Sequence, residues 1–217
     1  MEENEERNKQ IEKITQEFLS MVKMPAEKAP KPFLLGMIGN IGSGKSTVAR
    51  ELRTLLPGAV HIQANSARYL LKQAGMEWGD NVRTILDGVI RHLIGHDYGV
   101  VVDGSTAEAR DRQRLSSLAD ELHVPLMFVR IKCDADVCAM REQRKYDDPS
   151  WESSFEDFRV NTTEKMVTNV RERSMIHHNL DSKDITGLIG EIDSNMPSKN
   201  LSDQITGLAD RIREKLS

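Results

Sequence analysis

Along this chain, short apolar runs alternate with longer stretches whose apolar positions recur every three or four residues. FLLGMIG (33–39), AVHIQ (59–63), GVVVD (99–103), PLMFVRIK (125–132) and GLIGEID (187–193) have the near-continuous apolar character of strands buried on both faces. Between them run helical stripes. STVARELRTLL (46–56) is halted by Pro57-Gly58, and Asn65 or Ser66 can cap a helix carrying Leu70, Leu71 and Ala74. Val82, Ile85, Leu86, Val89, Ile90 and Leu93 mark one face of the next helix, and Leu115, Leu118, Ala119 and Leu122 another. Further helices are predicted over 134–145, where Asp147-Asp148-Pro149 breaks the pattern, over about 151–178, and over 201–216. About five strands separated by helices predict an α/β fold, a parallel sheet flanked by helices. Upstream, Ile11, Ile14, Phe18 and Met21/Val22 share one face of an amphipathic helix, and Pro25, Pro30 and Pro32 make a stiff linker after it. The expected division is a helix and linker over 1–30 and a main domain over 31–217.

Composition narrows the classes. Thirty Lys+Arg against 34 Asp+Glu give a net charge of −4, which argues against attachment to nucleic acid or membrane by bulk charge. A local basic groove stays open. No apolar run approaches the ~18 residues of a membrane span, and MEENEERNKQ lacks the basic-then-apolar order of a secretory signal. The expectation is a soluble, cytoplasmic protein. Cys133 and Cys138 are too few for a disulfide framework and wrongly spaced for CxxC, so they read as small buried hydrophobes.

One segment carries specific chemistry. Gly39, Asn40, Ile41, Gly42, Ser43, Gly44, Lys45 and Ser46, with Thr47 behind them, complete G-x-x-x-x-G-K-[ST] between a predicted strand and a predicted helix. Glycines let successive backbone N–H groups curl around phosphate oxygens, and the helix N-terminus adds partial positive charge. Lys45 would supply a full charge to the β- and γ-phosphates and Ser46 a hydroxyl to Mg²⁺. ATP or GTP binding follows; the absence of a guanine-reading NKxD leans toward ATP. Asp103, ending an apolar strand, is placed to hold Mg²⁺ through water, or else simply starts a turn with Gly104. Arg141 and Arg144 lie three apart on one helix face, and Arg110, Arg112 and Arg114 form a second basic group; each arginine is either a phosphate ligand or part of a solvated face. His92/His96 and His177/His178 lack zinc-site spacing and read as surface residues. Trp151, Phe155 and Phe158 could stack a base or sugar, although such spacing usually means packing.

Taken together, the P-loop, Asn65-Ser66-Ala67-Arg68, VVVDGSTAEARDRQRL and Arg141-Glu142-Gln143-Arg144 resemble, over about residues 33–195, the small P-loop kinases related to polynucleotide kinase and zeta toxin. That resemblance implies a nucleotide kinase-like sheet with a lid over about 134–160 and phosphorylation of a hydroxyl on a nucleic acid end, sugar or small metabolite. It makes Arg68 a contact to acceptor or phosphates, Arg141 and Arg144 lid arginines, and Asp103 a neighbour of metal and acceptor. Where the family pattern carries an aspartate three residues before the arginine, this chain has Asn65, which can orient a hydroxyl but cannot take its proton. Two functions remain open: an ATP- and Mg²⁺-dependent kinase, or an ATP-binding or ATP-hydrolysing regulator that contacts a protein partner through the N-terminal helix.

Overall fold

The computed structural model describes residues 2–104, 106–148, 150, 154–158, 163–195 and 198–217. Five parallel strands, β1 (Leu34–Ile38), β2 (Ala59–Gln63), β3 (Gly99–Asp103), β4 (Leu126–Lys132) and β5 (Leu188–Asp193), form one sheet in the order β2-β3-β1-β4-β5. Its register pairs Gly36 with Val102 on one side and with Phe128 on the other, so β1 lies at the centre. All five residues of β1 and all five of β3 are buried, which explains why these strands show no polar alternation.

Helices cover both faces. The helices α2 (Lys45–Leu55) and α8 (Ser198–Leu216) pack Val48, Leu52, Ile205, Leu208 and Ile212 on one face. The other face receives α3 (Ala64–Gln73), α4 (Gly79–Gly95) and α5 (Ala109–Leu122) through Leu70, Leu71, Ile85, Val89, Leu115 and Leu118. A helical pair, α6 (Ala135–Asp147) and α7 (Thr163–Asn179), stands over the carboxyl edge of the sheet. The two ITGL segments adopt unrelated structures, one leading into β5 and the other inside α8.

The N-terminal helix, α1 (Glu2–Met21), adds Ile11, Ile14 and Phe18 to the core beneath α3 and α4. Its apolar face is therefore occupied within the chain, and a partner docking there would have to displace it. The following linker is held too: Ala29 N–H donates to the Asp97 carbonyl at 2.8 Å.

Two local expectations are corrected. Asn65 and Ser66 do not cap α3; they lie inside its first turn, because the helix starts directly at the end of β2 with Gln63 in the capping position. Of the helix expected over about 151–178, the described residues show α7 at Thr163–Asn179, and residues 154–158 are non-helical because they pack across α1, β2 and α3. Trp151 lies outside the described residues.

Phe18 is fully buried, so Phe18→Ala should cost about 3–5 kcal/mol. Urea unfolding measures this. A loss below about 1 kcal/mol would show that α1 is not part of the cooperative core.

Candidate active site

The loop between β1 and α2 owes its shape to two backbone constraints. Gly42 (φ 75°) and Gly44 (φ 91°) occupy the left-handed region that disfavours a Cβ. At Gly42 a Cβ would also collide with the Cys138 carbonyl of α6. The loop closes on itself where Lys45 Nζ donates to the Asn40 carbonyl at 2.7 Å, and Asn40 Nδ2 donates to the Val170 carbonyl of α7 at 3.0 Å. The buried Ser43 hydroxyl makes no hydrogen bond among the described residues. This left-handed cradle at a helix N-terminus, with one lysine folded over it, is suited to the phosphates of a nucleotide.

Beside it, Asp103 ends β3 and is nearly fully buried. Burial alone would push its carboxyl up. Contact with His61, the charge of Lys45 and a hydrogen bond from Ser46 outweigh that and hold it below the usual carboxylate range. Burial likewise pushes Lys45 down, while Asp103 and Glu142 oppose the shift. His61 was not singled out in the sequence. Its Nε2 stands 3.5 Å from Asp103 Oδ2, long for a hydrogen bond, with both side chains buried. Ser46 and Asp103 fit Mg²⁺, a cation that usually takes few protein ligands alongside phosphate oxygens and water. Among the described residues there is no cluster of three or more acidic, histidine or cysteine side chains that would form a complete metal cage.

Gly39, Ile41, Gly42, Lys45, Ser46 and Asp103 open into a cavity of about 410 Å³. From α3 it receives Asn65 and Arg68, joined by Arg68 Nη1 donating to Asn65 Oδ1 at 2.7 Å. Burial and the charges of Arg173 and Arg83 push Arg68 down from its ordinary value, a setting that favours an incoming negative charge. Glu142 and Lys145 enter from α6, and Met166, Asn169, Arg173 and His177 from α7. Burial pushes Glu142 up. Trp78 and Phe158 form an aromatic wall, their ring centroids 6.4 Å apart.

Several candidate residues lie elsewhere. Asn40 is buried against α7, Ser43 and Gly44 support the loop from outside the cavity, and Thr47 is exposed. Neither Arg141 nor Arg144 is among the residues that line the cavity. Arg141 turns toward β5, donating to the Ser194 carbonyl at 2.6 Å and hydroxyl at 3.2 Å, and Arg144 faces outward. The second basic group is structural or exposed: Arg112 holds the carbonyls of Thr106 and Ala107, Arg114 pairs with Asp87, and Arg110 is exposed. His92 and His96 stack on the surface.

Phe158 lines this cavity, while Phe155 and Glu156 line a separate, smaller one with Phe18, Gln63 and Ser66. Phe158 reaches Tyr69 (ring centroids 5.7 Å apart), while the carbonyls of Phe155 and Glu156 accept from Ser66 Oγ at 2.6 Å and Gln63 Nε2 at 3.1 Å. Behind them, Phe18 meets Phe155 edge-on and Lys23 pairs with Glu156 at 2.8 Å.

A central parallel sheet with this loop after its middle strand defines a P-loop nucleoside-triphosphate-binding protein with a kinase-like fold. By its sequence the chain belongs to the family described as the AAA domain, whose pattern matches residues 34–170. It is 29% identical over 117 residues to an adenylyl-sulfate kinase of Myxococcus xanthus (strain DK1622), a match spanning 51% of this chain and 63% of that enzyme. The chain thus spans less than two thirds of that relative. Its fold is similar to that of a gluconokinase from Sinorhizobium meliloti 1021 (TM-score 0.56, 18% identity, 87% of this chain and 97% of that one). It is also similar to Kti12 of Chaetomium thermophilum, solved in complex with ADP-AlF3 (TM-score 0.61, 14% identity, 85% and 99%). These likenesses do not single out the polynucleotide kinase and zeta-toxin group. No described helix is long and apolar enough to cross a membrane.

Gly42→Ala should reduce nucleotide affinity by at least about tenfold, more than 1.4 kcal/mol, because the cradle must open to admit the methyl group. Calorimetric titration with MgATP checks this; unchanged affinity would refute the cradle. A second expectation concerns pH. Burial first, then the charges of Lys45, Arg173 and Arg130, hold His177 down to about 4. Its contribution to stability is full above the unfolded value near 6.5 and is lost as pH falls toward about 4. His177→Gln should therefore flatten the decline in urea midpoint between pH 7 and pH 5. An equal decline in both proteins would contradict that.

Proposed function

We propose that this chain transfers the γ-phosphoryl group of MgATP to a hydroxyl of a small molecule. The observation that carries the reading is continuity: the phosphate cradle and the Asn65–Arg68 pair open into one recess, walled by Trp78 and Phe158. Among the described residues, the cations Lys45, Arg68, Lys145 and Arg173 line it with the carboxylates Asp103 and Glu142. That excess suits a triphosphate together with an acceptor that itself bears negative charge. The aromatic wall favours a compact acceptor over a nucleic acid end, which needs an open groove.

In this reading Lys45 and the cradle N–H groups hold the β- and γ-phosphates, and Ser46 with Asp103 hold Mg²⁺. When bound, the metal neutralises phosphate charge. Lys145 and Arg173, which face the cavity, take the lid role over the equatorial oxygens in place of Arg141 and Arg144. Asn65, fixed by Arg68, orients the acceptor hydroxyl. A loose transition state keeps the acceptor proton in place until late, so an amide there is compatible with transfer. The second reading, an ATP-binding or ATP-hydrolysing regulator, is favoured by one observation: Asn65 stands where the kinase pattern has its base.

Acceptor-dependent ADP release tests the proposal. A size-fractionated pool of small metabolites should stimulate turnover, and oligonucleotides with free 5′-hydroxyls should not. Stimulation by oligonucleotides alone would overturn the small-molecule assignment, and no stimulation by either would favour the regulator. Arg173→Ala should lower kcat by about 10²–10³ with little change in ATP affinity, whereas Arg144→Ala should leave both within about twofold. The reverse order would return the lid role to Arg144.

A further inference from the structure

The two cysteines are not separate pieces of core. Cys133 follows β4 directly, is half-buried, and lines a second cavity with Asn40, Lys132, Asp134 and Asn195. Cys138, one turn into α6, is fully buried, and Cys133 packs against it in one small cluster. Arg141 brings its Nη1 to 3.5 Å from Cys133 Sγ.

That pair is wired to the phosphate loop by two routes. Arg141 also donates to Ser194, whose hydroxyl donates to the Ser43 carbonyl inside the loop at 2.7 Å. The Cys138 carbonyl is the group packed against Gly42. A change in the positions of the two sulfurs therefore moves either the support behind Ser43 or the surface against Gly42.

We propose that Cys133 and Cys138 form a dithiol that a hydroperoxide oxidises to an intramolecular disulfide, weakening nucleotide binding at the P-loop. The inference needs nucleotide binding only, and stands whichever function the bound nucleotide serves. Cys133 is the attacking thiol, since it faces a cavity and Cys138 does not. The neighbouring Cys138 first, then Ser194 and the charge of Arg141, outweigh burial and hold the Cys133 thiol below its ordinary range, which favours the nucleophilic thiolate. The neighbouring Cys133 and burial push Cys138 up, as suits a resolving thiol that keeps its proton until attack.

The chemistry balances in two steps. The Cys133 thiolate attacks one peroxide oxygen, the O–O bond breaks, and sulfenic acid and hydroxide form. Cys138 sulfur then attacks the Cys133 sulfur, losing its proton as the S–O bond breaks and water leaves. Sulfur is oxidised and the peroxide reduced. The new S–S bond replaces a packing contact with a shorter covalent one, shifting the first turn of α6 where its Cys138 carbonyl packs against Gly42.

The test uses the full chain treated with hydrogen peroxide and then cleared of it. The expected product is a monomer on a non-reducing gel, lighter by two hydrogen atoms and lacking both free thiols. It should bind MgATP at least about tenfold more weakly, with recovery after dithiothreitol. Cys133→Ser should bind MgATP as the parent does and keep that affinity after peroxide. Cys138→Ser should accumulate sulfenic acid on Cys133, trapped by dimedone. Two free thiols after peroxide, a disulfide without loss of affinity, or equal peroxide sensitivity in Cys133→Ser would each overturn the proposal.

Discussion

The site depends first on a close approach between two pieces of backbone. Gly42 can lie under the Cys138 carbonyl only because it has no side chain, and its left-handed conformation turns the loop there. With α6 seated on the loop, Ile41, Cys138, Ala139 and Val170 pack into a small apolar cluster that joins α6, α7 and the cradle. The walls that carry Lys145 and Arg173 are thus positioned by the same contact that shapes the phosphate site. The phosphate loop and the α6–α7 wall are coupled by packing.

The charges arranged around this cradle are costly where they stand. Lys45 and Asp103 are desolvated, and Asp103 keeps its charge through His61, Ser46 and Lys45. Burying ionised groups costs several kcal/mol each unless they are paired well, and such groups concentrate where a ligand completes the pairing. Glu142 shows the same logic in reverse. Burial pushes its carboxyl up, while the charges of Lys145 and Lys45 oppose the shift.

How much of this could be read along the chain depended on whether the information was local. The P-loop was legible because strand, glycine turn, lysine and helix are contiguous. The five strands were legible because burial on both faces removes polar positions. On α6 the phase was missed: Cys138 packs on the loop, so the residues four and seven further along, Glu142 and Lys145, face the cavity, while the more conspicuous Arg141 and Arg144 point elsewhere. His61 was missed because its significance is a cross-strand relation. The register sets it opposite Val101, which makes Asp103 its same-face diagonal neighbour. The segment 154–158 reads as helix by composition and is drawn out of it by carbonyl contacts to Gln63 and Ser66, contacts that no local pattern contains. Phe18, over a hundred residues away, packs edge-on against Phe155 and so supports that segment.

The central claim is transfer of a phosphoryl group within one cavity, and following the phosphorus atom tests it most directly. Phosphorus NMR of MgATP incubated with the full chain and a pool of small hydroxyl compounds should show the γ resonance replaced by that of a new phosphomonoester, with ADP forming in equal amount. ADP accompanied only by inorganic phosphate, whatever compounds are supplied, would contradict transfer and leave hydrolysis as the reaction of this site.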